Sequence, residues 1–255
     1  RFHPIKKHRI AVVQPLSARY VYLEYAGLMG VGLALASFVN VYFLGTAAVF
    51  VFMAVLYNVK PVRLKDHFLV DVLSESLNNP LRLLFGWFMV TSVTVPPSSV
   101  LLAYWFGGAF LMAAKRYSEY RSLVADVPLE TIALYRRSFA KYSEASLVGS
   151  MFCYALLCGF LLSAFILLYR LEYFLTFPFV VALFTYYVMF SFDRDSAAQA
   201  PEKLHSNRVL IALMSLLFIS FVVLTYVDIP TLEPILRSNA IEIETIRNQL
   251  SEALK

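Results

Sequence analysis

Asp71, Glu75, Asn78, Asn79 and Arg82 follow one another at offsets of four, three, one and three within an otherwise apolar stretch. On a helix those offsets share one face. An Asp or Arg at the centre of a bilayer costs about 2.5–3.5 kcal/mol, so the whole stripe against lipid would cost on the order of 10 kcal/mol. It must face a polar cavity or other buried polar groups. Pro80 lies in the same turn, removes a backbone hydrogen bond and frees the carbonyl of Ser76. Just upstream, "KPVRLKDH" brings Lys60, Arg63 and Lys65, three cations suited to phosphate oxygens. Carboxylates beside such cations point to Mg²⁺, a hard ion held by one or two carboxylates plus substrate phosphates. The combination reads as a pocket that handles a diphosphate. The same stripe could instead be a structural network, in which Asp71 or Glu75 neutralises Arg82 and joins helices.

The elements that must hold these groups are membrane helices. Of the 255 residues, 60% are hydrophobic and 15% charged, and the mean hydropathy is +0.67. Soluble domains carry roughly 25% charged residues, and one soluble core could not hide this much apolar surface. Apolar stretches of about the 20 residues needed to cross a bilayer recur near Tyr20–Val39, Val41–Asn58, Phe68–Thr91, Ser98–Ala114, Ala145–Leu168, Tyr173–Phe192 and Val209–Val227. They are too long for strands and lack alternation, and helices satisfy their own backbone in lipid. The expected fold is all-α, a polytopic transmembrane helical bundle over residues 1–227. A tail follows over 228–255, where Leu236, Ile243 and Leu250 recur every seven residues beside Ile246 and Ala253. It reads as an amphipathic helix that lies on a membrane or pairs with a second copy in a homo-oligomer.

With the N-terminus in the cytoplasm, seven crossings put most of the 22 Lys and Arg on that side. Only Arg170, Arg237, Arg247 and Lys255 fall outside, and Arg82 lies within a span. This asymmetry follows the positive-inside rule, so the net charge of +5 marks topology and calls for no nucleic-acid partner. The long polar connections share the cytoplasmic face, and any chemistry opens there. Cys153 and Cys158 lack metal-ligand spacing and read as small buried hydrophobes. Glu24 is interfacial, and His67 and His205 read as solvated loop positions.

Two further clusters sit on the expected cytoplasmic side. "RFHPIKKHR" at Arg1–Arg9 packs four cations and two histidines before the first span. "AKRYSEYR" follows the fourth, with Lys115, Arg116 and Tyr117. Each alone would serve as an interfacial anchor; three together favour an anionic substrate.

These stretches resemble the UbiA superfamily of intramembrane prenyltransferases. That family carries Asn-Asp-x-x-Asp-x-x-x-Asp running on into Arg-x-His-Pro-x-Lys-x-x-Arg-Pro, and Arg1, His3, Pro4, Lys6 and Arg9 match the downstream half. Its second motif is similar to Tyr57, Arg63, Leu64, Lys65 and Asp71 here. "AKRYSEYR", and more weakly "APEKLHSNRVL", resemble the branch containing decaprenyl-phosphate phosphoribosyltransferase. Ile10 stands where the family usually has Pro, and Gln14 where it often has Gly. The first aspartate motif would fall before Arg1, so the chain is expected to hold seven of nine helices.

The resemblance implies a Mg²⁺-dependent transferase of the bacterial inner membrane, acting on a polyprenyl (di)phosphate at a cytoplasm-facing cavity. Asp71, Lys65 and Arg63 would be catalytic, with Asp71 and then Asp66 as metal ligands. His3, Lys6, Arg9, Tyr57, Glu75, Asn79, Arg82, Lys115, Arg116 and Tyr117 would bind substrate. Departure of diphosphate would leave an allylic cation or a ribosyl oxocarbenium ion, open to an acceptor from the apolar side. Two alternatives stay open: phosphoribosyl transfer from phosphoribosyl diphosphate to polyprenyl phosphate, and a non-catalytic scaffold or transporter. No inverted repeat of the transporter kind is visible.

Overall fold

The computed structural model describes residues 17–126, 132, 136–193, 207–237 and 240–253. The expected substrate-binding residues His3, Lys6 and Arg9 lie outside the described residues, as does His205. Among those described, the fold is all-α with no strand. The helices are α1 (Ala18–Ser37), α2 (Val41–Asn58), α3 (Val70–Ser76), α4 (Asn78–Val90), α5 (Ser98–Asp126), α6 (Glu144–Tyr169), α7 (Phe177–Ser191), α8 (Arg208–Tyr226), α9 (Leu232–Arg237) and α10 (Ala240–Ala253). Among the described residues, five helical stretches are long and apolar enough to cross a membrane: α2, α5 up to Val124, α6, Leu171–Ser191 and α8. Their outer faces carry Phe52, Phe152, Phe160, Phe218 and other large exposed apolar side chains. The protein is an integral membrane protein.

Polar residues at the ends explain where several helices begin. Asn40 accepts from Phe43 N–H at 2.9 Å to cap α2, and its Nδ2 donates to the Phe88 carbonyl at 2.6 Å, tying that end to the end of α4. Ser143 and Ser146 form a reciprocal capping box at the start of α6. Asn207 caps α8 through Leu210 N–H and accepts the Tyr186 hydroxyl at 3.0 Å.

The third apolar stretch is two segments. Pro80 has no N–H for the Ser76 carbonyl, and α3 gives way to α4 at Leu77, which stays right-handed helical and keeps its bonds to Leu73 and Leu81. The Trp105 indole of α5 donates to the Leu73 carbonyl at 3.0 Å and pins α3 beside the junction. The stripe from Asp71 to Arg82 is therefore divided between two segments.

A second departure is larger. α5 continues to Asp126, twelve residues past the expected end of its span. Arg116, Tyr117, Ser118, Glu119 and Tyr120, expected at the membrane surface, are buried. The reason is pairing: α5 and α6 share the most extensive helix contact in the molecule, and the core around Val72, Phe110, Tyr117, Phe139, Leu147 and Met151 forms along it. Of the cysteines expected inside, Cys158 is buried whereas Cys153 is exposed. In the tail, Ile246 and Leu250 are exposed.

Candidate functional site

Asp71 stands in the first turn of α3 with no exposed surface. Its Oδ1 accepts from the Tyr142 hydroxyl at 2.5 Å. Its Oδ2 faces Arg116 Nε at 3.3 Å, Ser138 Oγ at 3.3 Å and Arg136 Nη2 at 3.1 Å. One turn on, Glu75 pairs with Arg116 Nη2, accepts from Tyr57 at 2.7 Å and lies 3.8 Å from Lys115 Nζ. Arg116 reaches Glu119 as well, at 3.3 Å. Its guanidinium, itself buried, thus sits among three carboxylates, two of them buried and Glu75 partly exposed. Taking one buried partner away would leave an uncompensated charge, which costs far more than an exposed pair gains.

Arg136 closes the cluster from the α5–α6 connection. Its Nε donates to Ser138 at 3.1 Å, and its Nη2 donates to Tyr57 at 3.1 Å while pairing with Asp71. Arg136, Ser138 and Tyr142 were not among the residues the sequence singled out. They lie in "RRSFAKYS", whose polar and aromatic mixture looks like an ordinary surface loop; only the fold turns them onto Asp71.

The α2–α3 connection forms the rim. Arg63 Nε lies 3.4 Å from Asp66, and Lys65 Nζ donates to Asn58 at 3.0 Å. Burial, then the charge of Arg63, hold the Lys65 ammonium below the usual lysine range, and Arg136 adds to the effect. Cations outweigh acids around this side chain. Two non-glycine residues with positive φ, Arg63 at 38° and Leu69 at 60°, bracket the turn Leu64–Asp66. Such backbone persists only where the surroundings over-determine it. At Leu69 they do: its N–H donates to the Tyr142 hydroxyl at 3.0 Å, and the Phe68 and Tyr142 rings lie 4.9 Å apart. Tyr142 therefore links the rim to Asp71. Burial, then the Asp71 charge, push its hydroxyl well above the ordinary tyrosine value.

The remaining expected site residues scatter. Asn79 packs against the backbone of α5 at Gly108, where a Cβ would collide with its amide. Tyr117 turns away, its ring edge-on to Phe192 at 4.8 Å. Arg82 is exposed, and among the described residues it makes none of the cluster's ion pairs. The partner expected for Asp71 or Glu75 was Arg82; the partner found is Arg116.

Asp71 and Asp66 were expected to hold Mg²⁺ together. Both oxygens of Asp71 face protein partners, two of them arginines, and Asp66 is turned to Arg63. Among the described residues no group of three or more acids, histidines or cysteines is placed to hold a metal ion by itself. This arrangement does not fit the two residues as ligands of one ion.

At the opposite end of the bundle, a cavity of about 220 Å³ is lined by Arg170, Glu172, Ile229 and Glu233 among others. Arg170 donates there to the Leu224 and Val227 carbonyls and to Asp228. These contacts staple the end of α8.

A model of the UbiA prenyltransferase family matches residues 1–207. No curated protein and no solved structure matches the chain.

Proposed function

The chain belongs to the UbiA prenyltransferase family, and on that premise we propose that it transfers a prenyl group inside the membrane from a prenyl (di)phosphate held at the rim formed by Arg63 and Lys65. Members of this family act on prenyl phosphate substrates in membranes. The observation that carries the site is geometric: Arg63 and Lys65 lie on the tight turn around Leu64–Asp66, which packs against the turn Arg137–Lys141, so that cations of two connections gather at one end of the bundle. An anion placed there relieves the repulsion between these cations.

The chemistry follows from that placement. As the bond from the allylic carbon to oxygen breaks, its electron pair leaves with the diphosphate, and negative charge grows where Arg63 and Lys65 are already oriented. The electron-poor carbon then bonds to the acceptor, which gives up its proton. The isoprenoid tail lies along the apolar helices, away from water that would otherwise capture the cation. Asp71, Glu75 and Arg116 do not touch substrate in this scheme; they hold the floor on which the rim rests. The rim faces the cytoplasm, in line with the basic residues on that side.

The test is turnover of the full chain in nanodiscs with labelled prenyl diphosphate and a lipid extract as acceptor source. Labelled lipid product with release of diphosphate is expected, and Lys65→Gln should abolish most of it. Product formed only from labelled phosphoribosyl diphosphate would replace the donor while keeping the site. Product from neither donor would overturn the assignment.

A further inference from the structure

Arg63 and Lys65 belong to the α2–α3 connection, whereas Arg136 belongs to the α5–α6 connection, and the turns Leu64–Asp66 and Arg137–Lys141 touch. The guanidinium of Arg136 is clamped by three groups from three places: Ser138 at its Nε, and Tyr57 of α2 and Asp71 of α3 at its Nη2. None of these contacts uses Nη1, which carries two of the five guanidinium N–H groups. The side chain keeps 13% of its surface exposed, so the plate is held without being fully sealed off. A guanidinium held this way keeps the two N–H groups of Nη1 as fixed, charged donors for a phosphate oxygen. Its ordering is completed before any ligand arrives, which lowers the cost of binding.

Resting on the diphosphate site proposed above, we propose that Arg136 is a further substrate-binding residue, which grips the phosphate oxygens from the connection opposite Arg63 and Lys65. Asp71 is then its positioning residue. The buried carboxylate sets the guanidinium in place through Nη2 and leaves Nη1 to the ligand. The fully buried acid thereby has a part in recognition without meeting the substrate.

The decisive measurement is calorimetric titration of the full chain in nanodiscs with inorganic pyrophosphate. Arg136→Gln should weaken binding about tenfold, the loss of one strong charge-assisted contact. It should also raise the pH at which binding fades, because Lys65 regains a more ordinary pKa once Arg136 is neutral. A merely structural loss would not move that pH. The double variant Asp71→Asn/Arg136→Gln removes one charge of each sign, which protects the buried balance. It should bind clearly more weakly than Asp71→Asn alone. Arg136→Lys keeps the cation but not the fixed Nη1 donors, and part of the affinity should return. If the double variant folds and matches Asp71→Asn while Lys65→Gln loses binding, the role of Arg136 is overturned and the rim site stands. Should both glutamine variants fail to fold, an unchanged affinity in Arg136→Lys overturns it equally. No change with Lys65→Gln overturns the rim site and, with it, the role of Arg136.

Discussion

Each end of the bundle is organised around an arginine, and the two clusters do different work. At the rim end, Arg116 has a side-chain exposure of 3% and meets Asp71, Glu75 and Glu119. At the far end, Arg170 is 25% exposed and its partner Asp228 is 80% exposed. The residue types and distances are similar, and burial separates them. In a low dielectric a lone charge is intolerable, so the partners of Arg116 hold one another in place. Near water each group of the outer cluster has an alternative partner, so Arg170 serves chiefly through the backbone carbonyls it caps.

Breaking this contrast is straightforward. Arg116→Ala should cost about 3–5 kcal/mol of stability, because it strands buried carboxylates; melting in detergent micelles measures it, and a loss no larger than that at Arg170 would erase the contrast. Arg170→Ala should cost about 1.5–3 kcal/mol through its charge-assisted hydrogen bonds, read in the same melts. Lys65→Gln sharpens the distinction between holding the fold and binding the ligand. It should lower pyrophosphate affinity about tenfold, near 1.4 kcal/mol, and leave the melting temperature in place. Pyrophosphate binding to the unaltered chain should weaken as pH rises through the lowered Lys65 pKa, below the ordinary lysine range, since the charged ammonium is the binding form; a pH series of titrations checks it. Asp228→Asn should change stability by under about 1 kcal/mol, and high salt should mask even that.

Much of this was open to inspection before folding. The apolar stretches are legible because a lipid environment leaves the backbone no alternative to helices. The junction near Pro80 is legible because the missing N–H is a covalent fact. The family, too, is written in motifs around Arg1–Arg9 and Tyr57–Asp71. What escaped was partnership. Asp71, Glu75 and Arg82 share a helical face by spacing, yet Arg82 is exposed on α4 and the acids pair with Arg116 of α5, more than thirty residues further along. "AKRYSEYR" looked like a membrane-surface anchor because its composition suits one, and contact with α6 buries it instead. "RRSFAKYS" gave no signal, since a loop that covers a charge looks the same as one that meets water.

Hydropathy and covalent constraint, both local quantities, set the helices, their membrane setting and the position of that junction along the chain. Which charge meets which depends on how helix faces rotate and pack against one another, a matter of long-range contact to which a linear pattern is blind. For that reason the quartet of Asp71, Arg116, Arg136 and Tyr142, drawn from three distant stretches, comes into being only when the bundle closes.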